Sequence, residues 1–299
     1  MAIIDVDAIS QLYRQEVKEH AQYFSRPLRL LGILATESGA SSKTYASYAK
    51  IGARDVGVEF VLREFPRIDL ESAIIEANRD SNIDGIMVYY PIFSSQQDNY
   101  IKDLVDYRKD VEGLNSYWIR KLYANDRTID GDPKRRSVLP CTPLAIVKIL
   151  EEVIPYQSID GSVPLKGKKI TIFNRSEVVG RPLAAMLAND GAAVYSFDIH
   201  GPLLFVNHQL KEVSISRRDA IKDSDIVIGG VPSKNFKKIT ADEVKEGTIC
   251  VNFSSIQNFT KEAQDKVLAF APRVGPVTIS MLLRNLVRLK NNFADGVNL

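Results

Sequence analysis

The chain has 299 residues, enough for about two domains with a core each, and its 45% hydrophobic and 25% charged residues are ordinary for a soluble globular protein. A net charge of +2 and the lack of any apolar run near the length of a membrane span argue against nucleic acid or a membrane as the main partner. Two distant cysteines, Cys141 and Cys250, and three scattered histidines, His20, His200 and His208, match no metal or disulfide spacing, and the acidic start MAIIDVDAIS lacks the basic residues of a signal or transit peptide, so no metal and a cytoplasmic location are expected.

In chain order, residues 6–24 predict an amphipathic helix with Ile9, Leu12, Tyr13 and Val17 on one side. A strand over 28–35 follows, then a helix over 41–56 closed by Gly57, then a strand over Glu59–Phe65. Asp69 is expected to cap a helix running to Ala77. A strand spans 85–90, stopped by Pro91, and a further helix covers 98–107. Strands alternating with helices of this length imply a mostly parallel sheet, and residues 1–141 read as a first α/β lobe. Residues 125–136 are polar and basic, as a surface excursion would be. Thr142 as cap and Pro143 at the first helical position open a helix over 144–153. That helix leads into a second lobe, residues 142–277.

The most informative stretch is 170–198, ITIFNRSEVVGRPLAAMLANDGAAVYSFD. Residues 170–173 read as a strand buried on both faces, and 181–189 as a helix with Leu183, Met186 and Leu187 on one side and Pro182 in its first turn. Gly191 ends the helix, and 193–197 is a second strand stopping at Asp198. This is half of a doubly wound, Rossmann-like dinucleotide-binding unit, although the usual G-x-G-x-x-G is absent. A helix start offers free N–H groups and a partial positive charge to a pyrophosphate. Arg175 adds a fork of donors, Ser176 a hydroxyl, and Gly180 room for a close backbone approach, while Asp198 stands where a carboxylate accepts from an adenosine ribose.

Residues 199–223 give no assignable pattern. Strands are expected over 225–229 and 248–253, and a long helix over 278–292 carries Ile279, Leu282, Leu283, Leu286 and Leu289 at helical spacing. With the rest of the C-terminus to residue 299, it is expected to pack back on the first lobe. Ligands of parallel sheets bind beyond the carboxyl ends of the strands, so two such lobes facing each other would leave a ligand cleft between them. Strand-end candidates are Tyr89, Tyr90, the 174–176 turn, Asp198, Val231-Pro232-Ser233 and the run Asn252, Phe253, Ser254, Ser255. The stretches Lys109 to Leu114, Pro140 to Pro143 and Pro272 to Thr278 join them. Singly, each has an ordinary reading as core tyrosine, solvated acid or turn. Cys141, between prolines and without an evident base, reads as lining rather than nucleophile.

Taken together, the stretches GIMVYYP at 85–91, KDVEGLN at 109–115, PCTPLAI at 140–146, NRSEVVGRPLAAML at 174–187, DIVIGGVP at 225–232 and VGPVTISMLL at 274–283, with Tyr45 on its helix, resemble the methylenetetrahydrofolate dehydrogenase/cyclohydrolase family over nearly the whole chain. The departures bring it closest to the fungal monofunctional NAD-dependent members. Bifunctional members carry a lysine one helical turn after the motif tyrosine, where this chain has Ala49. Lys50 is rotated by about 100° from that position. The glutamine of V-Q-x-P is Tyr89. Both missing residues are associated with cyclohydrolase chemistry, so the resemblance implies oxidation of 5,10-methylenetetrahydrofolate to 5,10-methenyltetrahydrofolate by direct hydride transfer, without hydrolysis of the product. A bifunctional enzyme and a non-catalytic NAD-binding regulator are the alternatives.

The resemblance assigns catalysis to Tyr45, Tyr89, Glu112 and Cys141. Tyr45 would stack on the folate, and Glu112, usually Asp, would pair with the amino-pyrimidine edge of the pterin. Tyr89 would also contact the folate, and the loop with Pro272, Gly275 and Thr278 would close over it, although a single Arg273 stands where the family has two glycines. Arg175, Ser176 and Gly180 would hold the dinucleotide, joined by Ile199, Val231 and Pro232 and by Asn252, Phe253, Ser254 and Ser255. NADP-dependent members use the motif arginine on the 2′-phosphate, but Asp198 would repel that phosphate and accept from a free ribose, so NAD is expected. A homodimer, a tetrahydrofolate partner with or without a polyglutamate tail, and a place in one-carbon metabolism and purine biosynthesis are further implications.

Overall fold

The computed structural model describes residues 2–93, 96–154, 164–206 and 208–293. The chain divides into two compact units, one of residues 10–141 with 278–299, the other of residues 1–9 with 142–277. In chain order the elements begin with β1 (Ala2–Ile3), α1 (Val6–Ala21), β2 (Arg29–Ala35), α2 (Ala40–Asp55), β3 (Glu59–Phe65), α3 (Leu70–Arg79), β4 (Gly85–Val88) and α4 (Gln97–Leu104). They continue with α5 (Ser116–Tyr123), β5 (Thr128–Ile129), β6 (Asp132–Arg136), α6 (Cys141–Glu151), β7 (Lys169–Phe173), α7 (Gly180–Asn189), β8 (Ala193–Asp198), β9 (Gly201–Val206) and β10 (Gln209–Glu212). The last are α8 (Arg217–Asp223), β11 (Ile226–Gly229), β12 (Ile249–Asn252), α9 (Lys261–Lys266), β13 (Ala269–Ala271) and α10 (Gly275–Phe293).

The first unit is built on a parallel sheet in the order β3-β2-β4. β2 reads RLLGILA and is buried from its second residue on, as a central strand covered on both faces must be. β3, which reads EFVLREF, has no buried residue and is an edge strand. Leu31, Ile33, Ile74, Ile86, Val88 and Ile101 form the core. The part of α10 that belongs to this unit buries Ile279, Leu282, Leu283, Leu286 and Leu289 to 1% exposure or less. On that apolar stripe Asn285 is an exception with a purpose, because its Nδ2 donates to the carbonyls of Val111 and Leu139, both at 2.9 Å. Lys290 donates to the Asp84 carboxylate at 2.9 Å, and Arg26 does so at 2.7 Å. Residues 294–299 of the expected terminal helix lie outside the described residues.

Two expected caps are absent for one reason, that the chain is already helical where the cap was placed. Asp69 ends a 3-10 turn, Arg67–Asp69, in a right-handed conformation and makes no capping bond. α6 starts at Cys141, so Thr142 and Pro143 sit inside its first turn, where the missing proline N–H is still without cost. The stretch read as a surface excursion contains the antiparallel pair β5–β6, and α5 precedes it. β4 ends at Val88, short of the expected residue 90 and ahead of a cis Tyr90–Pro91 peptide.

The second unit holds an eight-stranded sheet in the order β1-β13-β12-β11-β7-β8-β9-β10, parallel through β8 and antiparallel over β9 and β10. Within residues 199–223 lie the antiparallel strands β9 and β10 and then α8, whose start Ser216 caps through its hydroxyl. The first strand, β1, is formed by the N-terminus beside β13, with Ala2 opposite Ala269. Phe173, Val227, Cys250, Phe259 and Phe270 form a core on one face. The chain runs from β7 through α7 to β8 on one side, while β11 flanks β7 on the other. The sheet order therefore reverses at β7 and β11, and the crevice beyond their carboxyl ends is where a doubly wound sheet takes its ligand.

Candidate functional site

At this switch point the turn after β7 is built from its own polar side chains. Asn174 Nδ2 donates to the Gly230 carbonyl after β11 at 2.8 Å, which ties the two strand ends together. Its Oδ1 accepts from Ser176 N at 2.9 Å and from Ser176 Oγ at 2.7 Å. Ser176 Oγ in turn accepts from Val179 N at 3.2 Å and Gly180 N at 3.4 Å, at the start of α7. The Ser176 hydroxyl is therefore committed to the turn, not held out as a free donor. Gly180 is required for the same turn, because a Cβ there would lie 2.1 Å from the Asn174 carbonyl oxygen. The close approach that this glycine permits is to the chain's own backbone.

Arg175 turns back along the sheet instead of toward the helix start. Its guanidinium pairs with Asp198 at 3.0 Å and donates to the Ser196 carbonyl at 2.5 Å and to the Gly201 carbonyl, with its side chain 9% exposed. Asp198, at the end of β8, also accepts from His200 N at 2.7 Å. Beside this pair is a cavity of about 390 Å³ with Phe173, Phe197, Val231 and Phe236 among its walls and Arg175 and Asp198 at its polar end. Ile199, 95% exposed, and Pro232 stand at its margin. Apolar and aromatic walls with one carboxylate suit an adenine and its ribose, so the residues present fit the adenosine half of a dinucleotide.

The strand-end run after β12 serves this region from behind. Phe253 lies over Gly230, where an added Cβ would fall 1.8 Å from the ring. Asn252 is buried, donates to the Ser254 carbonyl at 2.9 Å and accepts from Asn258 N at 3.0 Å. Ser254 Oγ donates to the Val231 carbonyl at 3.0 Å. Ser255 is exposed and does not line the cavity. Asn258 was missed in the sequence, yet it holds the Val231 peptide from both sides, accepting from its N–H at 2.8 Å and donating to its carbonyl at 3.0 Å. Arg217 and Phe236 were missed as well. Arg217 stacks over Phe173 and Phe236 at 5.4 and 5.7 Å and pairs with Glu243.

In the first unit, Tyr45, Tyr89, Glu112 and Cys141 come together. The Tyr45 and Tyr89 rings meet edge to face at 6.1 Å. Burial raises the Tyr45 phenol well above its usual range, and Cys141, Glu112 and Tyr89 add to the shift. The Tyr89 hydroxyl is buried with no hydrogen-bond partner among the described residues, an orphaned group of the kind a ligand satisfies. Glu112 is aimed by Asp110, whose carboxylate accepts from the backbone N–H groups of Glu112, Gly113 and Asn115 at 3.1, 3.0 and 2.7 Å. Glu112 Oε2 accepts from Val88 N at 3.0 Å. Burial and then the neighbouring Asp110 push the Glu112 carboxyl up to about 8, and burial moves Asp110 to about 6. Ala49 is 1% exposed, whereas Lys50 is exposed and lines a separate cavity with Ile51, Arg54 and Phe60.

The stretch expected as a loop from Pro272 to Thr278 is a loop only over its first three residues. Pro272, Arg273 and Val274 precede α10, and Gly275 to Thr278 is its first turn. Pro272 and Gly275 belong to the dinucleotide-type unit, where Arg273 pairs with Asp7, and Thr278 is the buried first residue of the other unit's share of the helix. Cys141 donates its thiol to the Val111 carbonyl at 3.1 Å, and burial raises it far above the thiol range, as burial does for Cys250. Neither thiol is poised as a nucleophile. Among the described residues no cluster of three or more His, Cys, Asp or Glu could hold a metal, and no helix is long and apolar enough to cross a membrane.

Fold and sites together define a two-domain α/β protein of the dinucleotide-binding class. The chain belongs to the tetrahydrofolate dehydrogenase/cyclohydrolase family: the family's catalytic-domain model matches residues 4–112 and its NAD(P)-binding-domain model residues 140–293. A methylenetetrahydrofolate dehydrogenase (NAD+) of Dictyostelium discoideum is 43% identical over 297 residues, covering 97% of this chain and 94% of that protein. A methylenetetrahydrofolate dehydrogenase (NAD+) of Saccharomyces cerevisiae is 45% identical over 278 residues, covering 88% and 86%. Among solved structures, the NAD-dependent 5,10-methylenetetrahydrofolate dehydrogenase of Saccharomyces cerevisiae superposes with a TM-score of 0.90 at 39% identity, covering 96% of each chain.

The thiol geometry predicts that iodoacetamide at mildly alkaline pH leaves Cys141 and Cys250 unlabelled in the native protein and labels both after unfolding, as read by mass spectrometry. Rapid native labelling of Cys141 would contradict its assignment as a lining residue.

Proposed function

We propose that this protein oxidises 5,10-methylenetetrahydrofolate to 5,10-methenyltetrahydrofolate with NAD as the hydride acceptor, and that it does not hydrolyse the product. The observation that carries this reading is the Tyr45–Tyr89–Glu112 cluster in which Ala49 and Tyr89 stand where bifunctional relatives have a lysine and a glutamine. A hydride leaving the methylene carbon takes its electron pair with it, and the positive charge that remains is shared by the two flanking folate nitrogens. No proton moves in that step, so the chain needs to supply orientation and not an acid or base. Hydrolysis of the methenyl group does require activated water and proton transfer. Lys50 is a poor substitute for the missing lysine because it faces the separate cavity. NAD supplies the hydride-accepting ring, and the similarity to relatives named for NAD supports that choice of cofactor.

Purified protein should leave the absorbance of methenyltetrahydrofolate decaying at the buffer rate in stopped flow. Hydrolysis above that rate would overturn the monofunctional reading.

In this reading Tyr45 packs on the folate ring system, and Glu112 accepts from the two donors of the amino-pyrimidine edge, which requires its ionised form. Protonated Glu112 has lost an acceptor, so kcat/KM for the folate should rise with pH and level off above about 8. A flat profile across that range in wild type would remove Glu112 from this role.

The Arg175–Asp198 pair supports NAD over NADP on electrostatic grounds. Asp198 adds repulsion to a 2′-phosphate and at the same time engages the arginine that would otherwise bind it. Asp198→Ser removes the repulsion and frees Arg175, so the NAD to NADP ratio of kcat/KM should fall by about tenfold or more, the worth of one charge-assisted hydrogen bond. An unchanged ratio would show that the discrimination lies elsewhere.

The proposal extends to a homodimer formed along the free edge of β3. That edge strand is flanked by exposed apolar side chains, Leu62 at 39%, Tyr48 at 60% and Ile51 at 46%. Sedimentation should give twice the 33.4 kDa chain mass and Leu62→Glu should lower it, whereas a wild-type monomer at micromolar concentration would refute the dimer. Cytosolic residence suits two buried, unpaired thiols, and recovery of the protein in an organelle fraction would contradict it.

A further inference from the structure

The folate-type unit carries another cavity, of about 190 Å³, bounded by the C-terminal half of α1, strand β6 and the last turns of α10. It is smaller than the roughly 300–1,000 Å³ of pockets that take whole cofactors. Its charged lining is four cations, Lys134, Arg136, Arg284 and Arg288, against one carboxylate, Glu16, with His20 beside them. Glu16 is already engaged, because Arg284 Nε donates to it at 2.9 Å. His20 Nδ1 lies 2.8 Å from the Glu16 carbonyl oxygen. Arg288 donates to a carbonyl, that of Ser137 at 3.2 Å, and among the described residues no carboxylate lies within ion-pair distance of Arg288, Lys134 or Arg136. Burial, reinforced by Arg284 and Arg136 and opposed by Glu16, pulls the Arg288 guanidinium down to about 10.

Elsewhere in this chain several cations at the edge of the core have acidic partners, as Arg26 and Lys290 have in Asp84 and Arg217 has in Glu243, whereas Lys109 is held by the carbonyls of Ala77 and Asp80. Here like charges converge in a concavity, where low-dielectric walls strengthen their mutual repulsion and focus the field on an incoming anion. Two guanidinium forks and an ammonium without acidic partners match the oxygen geometry of a phosphate group, and the small volume excludes a nucleotide. We propose that this cavity is a binding site for a compact, multiply charged oxyanion of the phosphate class. The inference does not depend on the dehydrogenase reading, and it concerns residues other than those of the dinucleotide pocket.

Isothermal titration of the full chain with inorganic phosphate, and separately with pyrophosphate, tests it. NAD is kept saturating so that the dinucleotide pocket cannot account for the heat, and sodium chloride matches the ionic strength. Either anion should bind at one site per chain, weakening as chloride is raised. Lys134 and Arg136 are exposed, so the double substitution K134A/R136A should keep the native unfolding transition while Kd rises by at least about tenfold. Arg288→Lys, which keeps the charge and loses the fork, should weaken pyrophosphate binding as well. No heat with either anion at millimolar concentration while NAD is saturating, or an unchanged Kd in both variants, would overturn the proposal.

Discussion

Turns at the carboxyl ends of parallel strands must find partners for backbone groups that the ladder no longer pairs, and this protein meets that demand with a few buried or half-buried carboxamides and one carboxylate. In the folate-type unit the Asp110 carboxylate gathers three backbone N–H groups, and Asn285 of α10 ties down the Val111 and Leu139 carbonyls on either side of it. In the dinucleotide-type unit Asn174, Asn252 and Asn258 do the same for the ends of β7, β11 and β12. Strand ends pinned in this way are rigid, and rigid strand ends can hold a reactive geometry. Glu112 owes its aim to the turn that Asp110 shapes, and the Phe253–Gly230 contact depends on peptides held by the asparagines.

The charge pattern at the two sites follows from the same economy of partners. Glu112 sits next to an already buried acid, so burial and repulsion raise its carboxyl, and a ligand that offers two donors restores the ionised form. Arg175 has the opposite arrangement. Its guanidinium is shared among Asp198 and two backbone carbonyls of the β8–β9 corner, which leaves it no free fork for a phosphate. Asp198 is thus held in place by the arginine it disables. The first N–H groups of α7 are taken up within the chain, those of Val179 and Gly180 by the Ser176 hydroxyl and that of Arg181 by the Ser176 carbonyl, so the start of this helix is committed to closing its own turn.

Much of this was legible in the chain because it rests on short-range pattern. The β7–α7–β8 unit, the α2 face carrying Tyr45 and Ala49, and the apolar stripe of α10 all follow from periodicity within one element. What escaped the sequence depends on partners far along the chain. Strand β10 is polar, QLKE, with no apolar alternation of its own, and it exists because it pairs with β9, which in turn pairs with β8. β5 and β6 are too short and too charged to show a period, and the two-residue β1 is a strand only because β13 lies beside it. The caps placed at Asp69 and Thr142 failed because a capping residue is recognisable by type, whereas the start of a helix also depends on where the preceding backbone is anchored.

The sequence by itself determined the alternation of strands and helices, the two-lobe α/β class, the acid at the end of β8 and the absence of a lysine one turn after Tyr45, since each is a matter of local order and residue type. Tertiary structure decided which groups remain available for chemistry. Only the folded chain shows that Arg175 is spent on Asp198, that Ser176 closes its own turn, that Tyr89 has no hydrogen-bond partner for its hydroxyl among the described residues, and that Lys134, Arg136 and Arg288 converge around a single carboxylate, Glu16, that is bonded to Arg284. Hydrogen bonds and ion pairs are satisfied across long sequence separations, so their presence or absence cannot be read from neighbouring residues.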